Sequence, residues 1–312
     1  MEPRPSRVDP VPMQEGGYAL RAWLLPSAMN RVAWGPLIGL AYVISLASVG
    51  RLHAGNVFLG SLGLLDVYNA KTRLFLRTFL PCIVTGALYD SFRFLLGPLI
   101  EDRIHVIGPY VVDRALFGAG GHTLNEVFLR HHWVVADLVA GAAYLVYVVE
   151  YLAFAMLLFF RQDAERARTF ALGFLVVNLL GFATYVVFPA APPWYVATHG
   201  FGPAHVGDAP SAAAGLRFDA LLGTHVFENA YSHSLAVFGA LPSLHAAYPA
   251  LAALLVYQTP SLRWARWPAA AYALVMCFAA VYLQHHYVID ILLGLLYAAI
   301  SATLVLALER RR

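Results

Sequence analysis

The chain has 312 residues, 60% hydrophobic and 12% charged, with a formal net charge of +3. A soluble domain is about 45–50% apolar and about 25% charged, so these proportions exclude an ordinary soluble enzyme and describe an integral membrane protein. Arginine outnumbers lysine, of which Lys71 is the only one, yet no dense basic run exists, which argues against a nucleic-acid surface. Cys82 and Cys277 both fall in apolar segments, which argues against a disulfide framework and a cysteine metal site.

In chain order, residues 1–31 contain proline, arginine and glycine without a charged-then-apolar-then-cleavage pattern. They predict an N-terminal tail, mobile or interfacial, not a cleaved signal. Residues 32–75 form an N-terminal apolar segment: 32–50 is interrupted by Gly35 and Pro36, and the short patch 56–68 lies in the interface. A bilayer-crossing helix needs about 20 mostly apolar residues. The candidates are 76–98, 134–160, 168–189, 243–258, 267–284 and 287–308. The prediction is an all-α integral membrane protein: a six-helix core bundle over 76–308 plus one N-terminal apolar or re-entrant segment.

Arginine in short connections orients such bundles, the basic side facing the cytoplasm. Arg161, Arg166 and Arg168, then Arg263 and Arg266, then Arg310, Arg311 and Arg312 fall on one side if the six helices alternate. The long 190–242 connection carries only Arg217 among arginines and lysines and falls on the other side. Arg51, Lys71, Arg73 and Arg77 fit the cytoplasmic side as well. A full span by 32–50 would put Arg4, Arg7, Arg21 and Arg31 outside, a conflict that a re-entrant segment resolves. Loop 99–133, also on the outer side, mixes Glu101, Asp102, Arg103, Asp113 and Arg114 with Ile104, Val106, Val111 and Leu116, which predicts amphipathic structure on the membrane surface.

Two histidine motifs then fall on the outer face. In Leu241-Pro242-Ser243-Leu244-His245, proline and serine are helix-start residues, and His245 lies in a first turn whose free N–H groups suit an anion. There it can exchange a proton with an alcohol. In Gln284-His285-His286-Tyr287-Val288-Ile289-Asp290, His286 and Asp290 share one helix face. A carboxylate on one imidazole nitrogen leaves the other free as a nucleophile. A membrane histidine satisfied by a nearby carboxylate without chemistry gives the same spacing, although ionisable groups in a bilayer are expensive and default to function.

Other outer-face candidates follow. Phe188-Pro-Ala-Ala-Pro192-Pro193-Trp194-Tyr195 ends a helix with rings at headgroup level, and an interfacial belt has the same composition. Asp90 and Arg93, three apart, either bind a headgroup or neutralise each other. Arg217 offers a guanidinium fork for phosphate. Ser243 and His285 complete the set of substrate-facing candidates. His122 and Glu126, followed by His131-His132, do not form a recognised ligand set, so no metal is predicted.

Pro242-Ser243-Leu244-His245 and His286-Tyr-Val-Ile-Asp290 resemble the second and third signatures of the type 2 phosphatidic acid phosphatase superfamily. Phe188-Pro-Ala-Ala-Pro-Pro-Trp-Tyr195, Phe238-Gly-Ala-Leu-Pro-Ser-Leu-His245 and Tyr282-Leu-Gln-His-His-Tyr287 resemble more closely its inositol phosphorylceramide synthase branch, the aureobasidin-A-resistance proteins, over about residues 76–305. There are departures from the wider superfamily. Ala279-Ala280 stand where Ser-Arg is usual, Leu244 replaces glycine, and a Lys-x6-Arg-Pro signature is missing. Those basic residues would neutralise a dianionic monoester, so their loss favours a singly charged phosphodiester. The resemblance implies transfer of an inositol-phosphate headgroup from a phosphatidylinositol-like lipid to ceramide or another lipid alcohol. It implies His286 as nucleophile, Asp290 as its stabiliser and His245 as proton shuttle, through a phosphohistidine. It implies lipid partners, no nucleic acid, no cofactor and an outer-face site, in a bacterial inner membrane given the arginine-rich composition. A lipid phosphate phosphatase of the same superfamily is the alternative, and a proton-coupled transporter the non-enzymatic one.

Overall fold

The structure, a computed structural model, describes residues 33–232 and 237–311, without the side chains of 93–95. The predicted tail, 1–31, lies outside the described residues. The chain forms two compact units, 1–73 and 74–312.

In the first unit, α1 (Gly35–Ser48) turns back through α2 (Ala54–Ser61), a 3-10 turn (Leu62–Leu64) and α3 (Leu65–Tyr68). α1 and α2 meet backbone to backbone, because a Cβ on Gly39 would collide with the Gly60 carbonyl. Asp66 ties the ends: its Oδ2 accepts from Gly35 N at 3.2 Å, and its carbonyl accepts from Arg73 Nε at 2.8 Å. The 14 residues of α1 rise about 21 Å, short of a hydrocarbon core of about 30 Å. Within the predicted apolar stretch, α1 is therefore one arm of a helical hairpin, too short to cross alone.

The second unit begins inside α4 (Ala70–Ile100). It continues with α5 (Ile107–Phe117), α6 (Leu124–Arg130), α7 (Val134–Phe160), α8 (Ala164–Val187), α9 (Pro193–His199), α10 (Gly215–Leu222), α11 (Val226–Ser232), α12 (Leu244–Gln258), α13 (Arg266–Tyr282) and α14 (Val288–Arg310). Among the described residues, four stretches are long and apolar enough to cross a membrane: α7, α8, Pro260–Tyr282 and α14. A fifth exists if Ala70–Phe92 and Leu96–Arg103, bent by 69°, form one span. The chain is an integral, multi-pass, all-α membrane protein.

The stretch predicted as a further core helix, 243–258, is α12, with only 15 residues. It is the centre of the bundle and packs on α7, α8, α13 and α14. Ala246, Ala247 and Ala252 are fully buried along it, and such small side chains let neighbouring backbones come close. Tyr151, Phe170, Phe174, Leu251 and Leu255 fill the space below the histidines.

The basic connections converge at the end of the bundle away from the starts of α12 and α14. Arg161 Nη1 donates to Ser261 O at 3.3 Å, and Arg166 Nη1 to Gln258 O at 3.4 Å, while Arg166 lies 3.8 Å from Glu309. The two predicted outer loops hold structure of their own: α5 and α6 lie within 99–133, and α9, α10 and α11 within 190–242. The amphipathic reading of 99–133 needs one correction, since Asp113 points inward and is fully buried.

Candidate active site

Ser243 starts α12. Its Oγ accepts from Ala246 N at 3.3 Å, and its own N–H donates to the Asp290 carbonyl at 2.9 Å. This second bond joins the two motifs directly. It is possible because residue 294 is glycine: a Cβ there would run into the Ser243 carbonyl. The obstacle is backbone, not a side-chain tip, so it has no rotamer by which to yield. Gly294→Ala is expected to part α12 from α14, lower the melting temperature and cut activity at least tenfold, with the purified protein's melting curve and turnover as the check.

The turn between α13 and α14 carries the second motif. Gln284 sits at φ +71°, a left-handed conformation. His285 N and His286 N both donate to the Ala280 carbonyl, at 3.2 and 3.0 Å. Asn125 of α6 clamps this turn. Its Nδ2 donates to Val281 O at 2.9 Å and His286 O at 3.0 Å, and its carbonyl accepts from Gln284 Nε2 at 2.9 Å. Trp194 N adds a bond to Gln284 O at 3.0 Å.

These supports bring the two histidines together. His245 Nδ1 and His286 Nε2 are 2.9 Å apart, and His286 Nδ1 lies 2.8 Å from the Ala240 carbonyl. A carbonyl only accepts, so the proton of His286 is on Nδ1 and its Nε2 carries a lone pair. His245 Nδ1–H must then be the donor between the rings. The predicted carboxylate partner needs correction here. Asp290 Oδ2 is 3.7 Å from His286 Nδ1, beyond hydrogen-bond range, and accepts instead from Tyr287 N at 2.8 Å. Asp290 is a buried carboxyl group behind the ring, while the Ala240 carbonyl sets the tautomer.

The Phe188–Tyr195 motif explains where that carbonyl comes from. Ala190 N donates to Phe238 O at 2.9 Å and Ala190 O accepts from Ala240 N at 3.3 Å, so the proline-stiffened segment pairs with the strand-like approach to α12. The motif braces residue 240, and its Trp194 lines the cavity beside the histidines.

The histidine pair opens on a cavity of about 430 Å³. Tyr89, Tyr144, Tyr147, Tyr185, Tyr231 and Tyr248 line it with Trp194, His245, His285 and His286, and among its described lining residues there is no arginine or lysine. His245 is stacked on Tyr144 at 4.3 Å and tilted against Tyr147 at 4.5 Å between centroids. His285 is sandwiched between Tyr144 at 5.0 Å and Tyr231 at 4.6 Å. Burial pushes the His285 imidazole down to about 3, and the adjacent His286 adds to the shift, so this ring is neutral at physiological pH and offers no cation to phosphate.

The remaining sequence candidates are placed differently. Arg217 does not line the cavity: its Nε donates to Asp137 Oδ1 at 2.7 Å, and its guanidinium lies 4.9 Å over the Tyr282 ring. The arginine is of the right type for phosphate, but its charge is engaged by a buried aspartate. Tyr195 turns its hydroxyl to Asp208, and Pro193 is the buried first residue of α9. Ser243 is a helix cap, and Asp90 is not among the lining residues although its neighbour Tyr89 is. The side chain of Arg93 lies outside the described residues. Among the described residues no three His, Cys, Asp or Glu side chains group as metal ligands. Sequence reasoning missed Ala240, Asn125, Asp113 and the tyrosine wall.

The geometry can be set beside known proteins. A family model described as the PAP2 superfamily matches residues 110–304. Phosphoinositol dihydroceramide synthase of Bacteroides thetaiotaomicron is 36% identical over 282 residues, 87% of this chain and 90% of that protein. The inositol phosphorylceramide synthase catalytic subunit of Schizosaccharomyces pombe is 33% identical over 186 residues, 58% of this chain and 42% of its own length. Its Saccharomyces cerevisiae counterpart is 30% identical over 237 residues, 75% and 57% respectively. The chain thus spans about half the length of these fungal relatives. No solved structure matches it. With nearly two thirds of its length matched by the family model and both histidine motifs inside that match, the chain belongs to the PAP2 superfamily.

Proposed function

We propose that this protein is a phosphotransferase that moves an inositol-phosphate headgroup from a phosphatidylinositol-like lipid to ceramide or a related lipid alcohol. The observation that carries this reading is the His245–His286 pair at the mouth of a tyrosine-lined cavity, 2.9 Å apart with the lone pair of His286 Nε2 facing a donor proton. The names of its relatives, synthases of phosphoinositol dihydroceramide and inositol phosphorylceramide, supply the substrate class.

A phosphodiester enters between the two rings and replaces their hydrogen bond. His286 Nε2 forms a bond to phosphorus while the bond from phosphorus to the diacylglycerol oxygen breaks, and His245, which enters the step as imidazolium, gives that oxygen its Nδ1 proton and is left as neutral imidazole. The imidazolium-like His286 ring is held by the Ala240 carbonyl and the Asp290 carboxyl group. In the second half His245 takes the proton of the acceptor hydroxyl, the acceptor oxygen bonds to phosphorus, and the P–N bond breaks. Atoms and protons return to their starting places. Catalysis of this kind rests on positioning and charge stabilisation. The gathering of basic connections at the opposite end supports an outer-facing site.

Purified protein in detergent, given headgroup-labelled phosphatidylinositol and ceramide, is expected to yield labelled ceramide product. Release of inorganic phosphate from phosphatidic acid, with no transfer, would replace this reading by the phosphatase.

A further inference from the structure

Asp113 lies midway along α5, fully buried, although the adjacent Arg114 is exposed. Its Oδ1 accepts from Ile289 N at 3.0 Å, across 176 residues of sequence. Ile289 is the second residue of α14. A helix start carries free N–H groups and partial positive charge that a local Ser, Thr, Asp or Asn ordinarily satisfies. Here the preceding residue is Tyr287, whose hydroxyl has no hydrogen-bond partner. The Ile289 N–H is capped instead from another helix.

The turn so capped follows His286 directly and contains Asp290. Two buried carboxylates therefore hold one helix start, Asp290 from within through Tyr287 N and Asp113 from outside through Ile289 N. The arrangement is costly. Burial pushes the Asp113 carboxyl up to about 6, the Ile289 N–H draws it back, and the Asp290 charge adds to the rise. Anchoring a surface helix does not require a buried carboxylate, since apolar contacts achieve it without desolvating a charge.

We propose that Asp113 is a positioning residue for the reaction: by fixing the first turn of α14 it fixes the line along which His286 Nε2 meets the substrate phosphorus. This rests on the reading of His286 as nucleophile. It gives α5 a function, since the buried face of that helix carries the carboxylate that aligns the reacting nitrogen.

The test uses the full chain in detergent, with labelled phosphatidylinositol and ceramide. Asp113→Ala is expected to lower kcat about tenfold with the donor KM within about twofold. Asp113→Asn, whose Oδ1 still accepts from Ile289 N, is expected to recover most of that loss. Hydrogen–deuterium exchange of a peptide covering 285–292 is expected to quicken in Asp113→Ala and not in Asp113→Asn, a readout independent of any activity. Should Asp113→Ala not yield folded protein, Asp113→Ser takes its place. Wild-type kcat in the alanine variant, a rise in KM alone, or unchanged exchange overturns the proposal. If the wild type transfers nothing while exchange responds as expected, the functional reading fails and the link between Asp113 and the turn stands.

Discussion

Replacing His286 by alanine is expected to reduce headgroup transfer by about a thousandfold or more and to abolish the covalent intermediate. The size follows from what is lost. His286 Nε2 is the nitrogen whose tautomer is set by the Ala240 carbonyl at 2.8 Å and whose lone pair meets the cavity. Its removal takes away the proposed route through phosphohistidine, and the oxygen nucleophiles nearby are tyrosines, two already engaged: Tyr185 donates to Pro242 O and Tyr248 to Asn178 Oδ1. The fold should survive. The backbone bonds of residue 286, its N–H to Ala280 O and its carbonyl from Asn125, do not involve the ring. The structural cost is a buried Ala240 carbonyl without its partner, about 1–3 kcal/mol. Brief incubation with donor labelled at phosphorus, an alkaline quench and peptide mapping should find acid-labile phosphate at residue 286 in the wild type and none in the variant. Label on another residue, or activity within tenfold of wild type, would sink the assignment.

The two histidine motifs were legible in the sequence because each is local. Pro242-Ser243 announces a helix start beside His245, and His286 and Asp290 lie one turn apart. Alternation of α12, α13 and α14 then returns both to one end of the bundle, which helix counting anticipates. The length of α12 was less legible: apolar composition runs through 243–258, but a buried central helix needs no full bilayer span. The partners of the histidines were not legible at all. Ala240 acts through a carbonyl, which every residue has. Asn125 reaches the turn from 156 and 161 residues away, and an asparagine in a charged connecting segment carries no sign of such a bond. Arg217 shows the converse. A lone arginine in a long loop suggested a phosphate fork, but Asp137, 80 residues earlier, engages its charge. Residue type gives chemical capacity, and only the fold says where the capacity is spent.

His245→Ala is expected to separate the two halves of the reaction. With a natural lipid donor the loss should be about 10²–10⁴-fold, the range of a general acid–base group, because the diacylglycerol alkoxide cannot leave unprotonated. With a p-nitrophenyl phosphodiester donor the leaving group needs no proton, so the attack by His286 should proceed within about tenfold of wild type. The second half still requires a base to deprotonate the acceptor hydroxyl. The variant should therefore release one equivalent of p-nitrophenol per site and then stall with phosphate on His286, whereas the wild type turns over continuously and His286→Ala shows no burst. The structure supports a clean comparison. The ring of His245 lies against Tyr144 and Tyr147, so truncation enlarges the cavity, while Ser243 N still bonds the Asp290 carbonyl at 2.9 Å and keeps α12 against α14. A burst lost in proportion to steady-state transfer would mean that His245 holds His286 in place and does not move a proton. Full turnover of the activated donor with no stall would mean that another group deprotonates the acceptor.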